Sequence, residues 1–222
     1  MHFAERRCIM RRLLGLATAM ILFMGIAAIT WAQQAPSVTG TVQQYLLTPH
    51  GEVDGLLLKD GTVVKFPPHL GPVLTGLAKP GDEVTVVGFL GPTTAYGRAI
   101  KALTITNKKT SQSVIDQPPA TPPLPPDMRG LTRKPLTVRG TVARLLVNDK
   151  GDVDGIILSS GEQVKFPPPN GPVIAMMFGQ GKKTVEASGY GTQNAFGTVV
   201  DAMSLSMDGQ AVPLAGKGRP RP

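Results

Sequence analysis

The chain contains very little cysteine and histidine. Cys8 is the only cysteine among 222 residues, and only three histidines occur. Cys8 precedes a long apolar run, so removal of that segment would leave no cysteine and would exclude disulfides and thiolate metal sites. Histidine is the most frequent acid–base residue in catalysis, so few candidates for an enzyme remain. Aromatic residues are also sparse at 5%, whereas glycine (26) and proline (21) are abundant, which favours short strands and turns.

The amino terminus has the pattern of an export signal. Four arginines, at positions 6, 7, 11 and 12, precede an uncharged apolar run from Leu13 to Ala32. We predict a signal peptide at 1–32, a short linker at 33–37, and a protein that is periplasmic or secreted. The run is also long enough to remain as an anchor helix in the inner membrane, and Met10 could be the true start. Cleavage after Ala32 would lower the formal net charge from +8 to +5.

One stretch of sequence occurs twice. "GEVDGLLLKDGTVVKFPP" begins at Gly51 and "GDVDGIILSSGEQVKFPP" begins at Gly151, and the same offset of 100 aligns 38–106 with 138–206. Two copies are too few for a solenoid, so we predict a tandem pair of small domains. The proline-rich segment 107–137 is predicted to be a semi-rigid spacer. The basic tail 207–222 is predicted to be disordered.

Each copy has the pattern of a small β domain. Apolar and polar residues alternate in the first strand, and a two-residue turn at Asp60-Gly61 or Ser160-Gly161 joins the second and third strands. Val63 of the first copy is replaced by Gln163, which predicts that this side of the third strand faces outward. Two prolines end that strand. A short helix and two further strands follow.

Three strands, a short helix and two strands resemble the OB-fold, and specifically the small exported bacterial OB-fold proteins. The resemblance covers both copies and implies a mainly β protein with two tandem five-stranded barrels, each with a short helix, after the amino-terminal signal or anchor helix. A small SH3-like barrel is the alternative fold.

The residues typical of catalysis or metal binding do not recur in both copies. His50 and His69 are replaced by Lys150 and Pro169 in the second copy. "DVDG" is similar to the middle of a calcium-binding EF-hand loop, but the first and last ligand positions lack carboxylates in both copies. His50-Gly51-Glu52 lacks the cysteines of a zinc deaminase. We therefore predict no enzyme, no metal and no cofactor, and interpret the shared aspartates at 54 and 154 as residues that precede a turn glycine.

The resemblance implies a ligand surface on strands two and three and on the flanking loops. Tyr96 and Phe196 occupy equivalent positions in the loop between the last two strands, where each would stack on a base or sugar or cover one end of its barrel. The candidate ligand-binding residues are Lys65, Tyr96, Arg98, Arg144, Lys165 and Phe196.

The net charge of each copy bears on whether the ligand is a nucleic acid or an envelope component. Five basic and five acidic residues occur in 38–106, and six of each occur in 138–206, so both copies are neutral. Nucleic-acid affinity depends strongly on phosphate neutralisation. We therefore predict an exported, non-catalytic binding or scaffold protein for an envelope protein, a glycan or another ligand, with avidity from two modules. The alternative is a binder of single-stranded nucleic acid that uses these surfaces, the spacer and the tail.

Overall fold

The computed structural model describes residues 35–179 and 182–215, without the side chain of Asp127. The predicted signal or anchor at 1–32 and the basic end of the tail lie outside these residues. Within the described ranges, none of the helices has the length and apolar character needed to span a membrane. The fold is mainly β, with two tandem closed five-stranded barrels that each carry a short helix, as predicted.

The first barrel closes through a parallel strand pair. Antiparallel pairing joins β1 to β2, β2 to β3, β1 to β4 and β4 to β5, and β3 then pairs in parallel with β5. Its elements are β1 (Ser37–Leu47), β2 (Val53–Leu58), β3 (Val63–Lys65), α1 (Gly71–Leu77), β4 (Glu83–Leu90) and β5 (Ala99–Asn107), followed by β6 (Ser113–Ile115).

The second barrel repeats this topology. β7 pairs with β8 and β10, β8 with β9, and β10 with β11, and the parallel pair β9–β11 closes the barrel. Its elements are β7 (Lys134–Val147), β8 (Val153–Leu158), β9 (Gln163–Lys165), α2 (Gly171–Phe178), β10 (Thr184–Asn194) and β11 (Gly197–Met207), followed by β12 (Gln210–Val212).

The repeated "GPV" sequence begins the helix of each barrel. A Cβ atom at Gly71 would lie 2.6 Å from the carbonyl oxygen of Val53, and one at Gly171 would lie 2.3 Å from that of Val153. Glycine is therefore required where each helix crosses the start of the second strand. The segment "VKFPP" ends the third strand and is followed, two residues later, by the helix.

The predicted spacer and tail contain additional strands. β6 pairs with β5, and β12 pairs with β11, so 107–137 and 207–222 each begin with a hairpin that extends the sheet. Strand β7 already begins at Lys134. Between β6 and β7, Arg129 forms an ion pair with Glu52, and Arg133 forms one with Asp201 at 3.4 Å. The segment between the barrels, predicted as a semi-rigid spacer, therefore contacts both barrels through these ion pairs.

The two barrels form one compact unit. Leu46, Leu57, Val63 and Ala99 of the first barrel pack in the core cluster of the second, and Val199 of the second packs in that of the first. The prediction that Val63 and Gln163 face outward is therefore wrong. Both are only 1% exposed, because the outer face of each third strand is covered by the other barrel.

Candidate functional site

Two loops cross between the barrels. These crossing loops are 91–98, which connects β4 to β5, and 191–196, which comprises the end of β10 and the turn into β11. Thr192 Oγ1 donates a hydrogen bond to the Pro49 carbonyl at 3.1 Å, and Asn194 Nδ2 donates one to the Gly51 carbonyl at 2.8 Å. In the opposite direction, Pro92 and Thr94 pack against Gly151. Such reciprocal contacts indicate an approximate twofold axis between the barrels.

The side chain of Gln163 fixes this arrangement near the axis. Its Nε2 donates to the Tyr45 carbonyl at 2.8 Å, and its Oε1 accepts from the backbone N–H of Leu47 at 3.0 Å. The equivalent Val63 packs with the core of the second barrel. A polar residue is tolerated at this buried position because both ends of its amide are hydrogen bonded.

Both predicted aromatic residues lie against the opposite barrel. Tyr96 is partly buried and packs on the core of the second barrel. Phe196 is 42% exposed, and its ring meets that of Tyr45 edge to face, with a centroid distance of 5.6 Å. The crossing loops thus use these rings at the interface between the barrels.

The two predicted arginines do not share one environment. The guanidinium of Arg144 lies over Gly61 in the turn between β2 and β3. The equivalent Gln44 donates through Nε2 to the Gly161 carbonyl at 3.1 Å. Arg98 directly precedes β5, and its carbonyl accepts a hydrogen bond from the N–H of Val63 at 2.9 Å.

The two predicted lysines meet at the interface. Lys65 pairs with Gly55 across β2–β3, and Lys165 pairs with Gly155 across β8–β9, so each lysine lies one register position from a shared aspartate. All four side chains line one cleft, and Lys65, Asp54 and Asp154 are near enough to act electrostatically on Lys165. We call these four residues, Asp54, Lys65, Asp154 and Lys165, the aspartate–lysine cluster.

Burial and charge act on the cluster together. Burial lowers the pKa of Lys165, and the positive charge of Lys65 lowers it further, whereas Asp54 and Asp154 act in the opposite direction. An ammonium group loses solvation on burial and is repelled by a neighbouring cation, so the surroundings favour the neutral form of Lys165 relative to an exposed lysine.

Each aspartate carries an unused acceptor. Asp54 Oδ1 and Asp154 Oδ1 are buried, and neither accepts a hydrogen bond from the part of the chain that the structure describes. A buried polar atom without a partner is costly. The cluster thus combines two acceptors that lack a donor with two amines at close range, which is the pattern of a site that a polar ligand would complete.

Two clefts open onto the cluster and share Asp54, Lys65 and Asp154. The first cleft has a volume of about 430 Å³, and its wall is formed by 66–68 and Lys101. The second has a volume of about 390 Å³, contains Lys165, and is walled by 166–168 and Asp201. The walls are the "FPP" parts of the two repeats. Lys101 and Asp201 are equivalent positions of opposite charge, so the two clefts differ electrostatically.

The aspartates are the site residues that sequence reasoning missed. The sequence pattern indicates a structural role before a turn glycine for Asp54 and Asp154, and an outer face for the lysines. The available signal was the pairing itself, because aspartate and lysine recur together in both copies whereas histidine does not. That signal could not show that the two outer faces meet.

No family model, no curated protein and no solved structure matches the chain. Among residues 35–179 and 182–215, no group of three or more histidine, cysteine, aspartate or glutamate side chains is placed to hold a metal ion. The functional interpretation therefore depends on the chemistry of the cluster and its two clefts.

Proposed function

We propose that this chain is an exported, non-catalytic binding protein of two tandem OB-like barrels, and that its ligand occupies the clefts between them. The ligand would be an envelope protein, a glycan or another envelope component. One observation carries the proposal: the aspartates and lysines that recur in both copies meet between the barrels, where two buried carboxylate oxygens accept no hydrogen bond from the described residues.

The chemistry of the clefts supports a ligand with both polar and apolar surface. The carboxylates accept hydrogen bonds from hydroxyl or ammonium groups, and the lysines donate to hydroxyl, carbonyl or carboxylate oxygens. Phe66 and Phe166, with the prolines that follow them, provide apolar walls on which a ring or an aliphatic chain would pack. Concave sites with apolar walls and a few convergent polar groups are typical of ligand-binding sites.

The interface between the barrels argues against the nucleic-acid alternative. OB-folds bind oligonucleotides on the face of strands two and three and with the flanking loops. Here the outer side of β3 and β9 and both crossing loops contact the other barrel.

A titration with fluorescent single-stranded DNA distinguishes an envelope ligand from a nucleic-acid ligand. We expect the Lys65→Met/Lys165→Met variant to bind as weakly as the wild type, whereas a large loss in that variant would support the alternative.

The proposed site is tested by a thermal-shift screen of the mature chain, which begins after Ala32, against soluble envelope glycan fragments and peptides. A ligand that binds only the folded state raises the melting temperature. We expect one class to do so, and we expect Asp54→Asn/Asp154→Asn to abolish the shift.

The matched control is Glu83→Gln/Glu186→Gln, which also removes two carboxylates. Both glutamates are exposed and pair with surface cations, so this variant should keep the shift. A shift that survives in Asp54→Asn/Asp154→Asn, or the absence of any shift with both classes, would contradict a ligand site at the cluster.

A further inference from the structure

The second cleft places a lysine amine in unusual surroundings. Lys165 is partly buried on β9, beneath the wall formed by 166–168, and it lies beside a second lysine from the other barrel. The charged groups that face it are Lys65 from β3, Asp54 from β2, Asp154 from β8 and Asp201 from β11. Lysines that are desolvated or placed next to another cation are activated as nucleophiles.

We propose that Lys165 is a carbonyl-capture site, at which its amine forms a reversible imine with an aldehyde or ketone group of a ligand in the second cleft. The inference rests on the proposed function only in requiring that the cleft admits a small ligand. It does not require turnover, because the covalent ligand remains bound until water reverses the reaction.

The first step needs a neutral amine, and the surroundings of Lys165 favour one. Burial lowers the pKa of Lys165, and Lys65 lowers it further by charge repulsion. The nitrogen lone pair forms a bond to the carbonyl carbon, and the electron pair of the C=O π bond moves to oxygen. One proton passes from nitrogen to that oxygen, which gives a neutral carbinolamine.

The second step removes water. The nitrogen lone pair forms the C=N bond, the C–O bond breaks, and the hydroxyl group leaves as water with the second proton that nitrogen releases. The carbonyl oxygen thus departs with both amine hydrogens, and no oxidant or reductant is consumed. Asp54 and Asp154 each have an oxygen without a hydrogen-bond donor in the described structure, so they are placed to carry these protons.

Apolar walls favour the imine over hydrolysis. Water must return to the imine carbon for release, and the phenylalanine and prolines of 166–168 restrict its approach from one side. A volume of about 390 Å³ is sufficient for a small aldehyde but also leaves the cleft open to exchange. Capture is therefore expected to be selective and reversible.

Reductive trapping tests the proposal. The mature chain is incubated with benzaldehyde and cyanoborohydride at pH 7, and each modified lysine is identified by peptide mass spectrometry. We expect Lys165 to be modified faster than Lys59 and Lys101, since only the neutral amine reacts. Lys59 and Lys101 are more exposed, so a ranking by accessibility predicts the reverse order.

Two substitutions of Lys65 test whether the neighbouring cation, rather than the exposure of Lys165, controls the rate at which Lys165 is labelled. Lys65→Met removes the neighbouring cation and should slow the labelling of Lys165, whereas Lys65→Arg keeps the cation and should preserve it. Circular dichroism confirms folding in each case. Labelling in order of exposure, or labelling of Lys165 that Lys65→Met leaves unchanged, would overturn the proposal. A thermal-shift ligand that depends on the aspartates would still support the non-covalent site, so the two failures are distinguishable.

Discussion

Single residues decide how the barrels recognise each other. Gln163 occupies a position that is valine in the first copy, and its amide satisfies the Tyr45 carbonyl and the Leu47 N–H of the other barrel. Both side chains are buried, but only the glutamine forms hydrogen bonds across the interface. The first residue of the third strand thus contributes apolar packing to the interface from one barrel and two hydrogen bonds from the other.

Replacing that glutamine should destabilise the whole protein. Gln163→Val leaves two backbone groups at the interface without their side-chain partner, and we expect a loss of about 2 kcal/mol in the free energy of unfolding. Urea denaturation measures it. The control is Gln193→Val at an exposed position of β10, which should change stability by less than about 0.5 kcal/mol. Equal effects of the two substitutions would contradict the buried hydrogen bonds.

Lys165 should make stability depend on pH. Burial first, and then the charge of Lys65, lower its pKa below the ordinary 10.5. Between the folded pKa and 10.5, the unfolded chain binds more protons than the folded one, so stability rises with pH across that window. At neutral pH, below that window, the burial of this amine lowers the free energy of unfolding.

The measurement compares wild type with Lys165→Met from pH 7 to pH 10. We expect Lys165→Met to be the more stable at pH 7 and the difference to shrink as the pH rises. Lys59→Met, at an exposed turn, provides the baseline. A difference that is constant with pH, or that grows, would show that Lys165 is not penalised by burial.

At the scale of elements, the short helices are positioned by backbone contact. Gly71 begins α1 directly over the Val53 carbonyl, where a Cβ would approach to 2.6 Å, whereas Gly76 in the same helix has open space. We expect Gly71→Ala to destabilise by about 2 kcal/mol, in the range of overpacking. We expect Gly76→Ala to stabilise by about 0.5 kcal/mol, because it lowers the entropy of the unfolded chain. Thermal unfolding of both variants measures the contrast, and destabilisation of similar size would contradict the packing.

The elements themselves were predictable from local pattern. Alternation puts Val64 and Phe66 on the face of the third strand opposite to Val63, and they are 0% and 4% exposed. The turn residues and the prolines predict the succession of elements in one copy, and the offset of 100 predicts the same succession in the other. These signals are local, so one copy contains nearly all the information that its own fold requires.

The surroundings of the outer face were not predictable in the same way. A period of two separates the faces of a strand, but it does not show what covers the second face. Val63 and Gln163 were therefore predicted to be outward, and Asp54 and Asp154 were interpreted as turn residues. Their roles depend on contacts between positions about one hundred residues apart, which no local pattern encodes.

At the scale of the whole molecule, duplication produced an interface as well as a second barrel. Each barrel places its crossing loop on the other, and the outer faces of β3 and β9 become interior. The aspartate–lysine cluster exists only when both copies are present. Two independent modules on a flexible spacer would not create it, and the central claim is that the repeated lysines meet within one chain.

Short-range cross-linking tests that claim most directly. The mature chain, at low concentration, is treated with 1,5-difluoro-2,4-dinitrobenzene, which bridges only neighbouring amines, and the linked peptides are identified by mass spectrometry. Lys165→Arg serves as the control that removes the link. We expect an intramolecular link between Lys65 and Lys165 as the main product. If both lysines are modified singly, or are linked only to other lysines, the barrels do not meet as described.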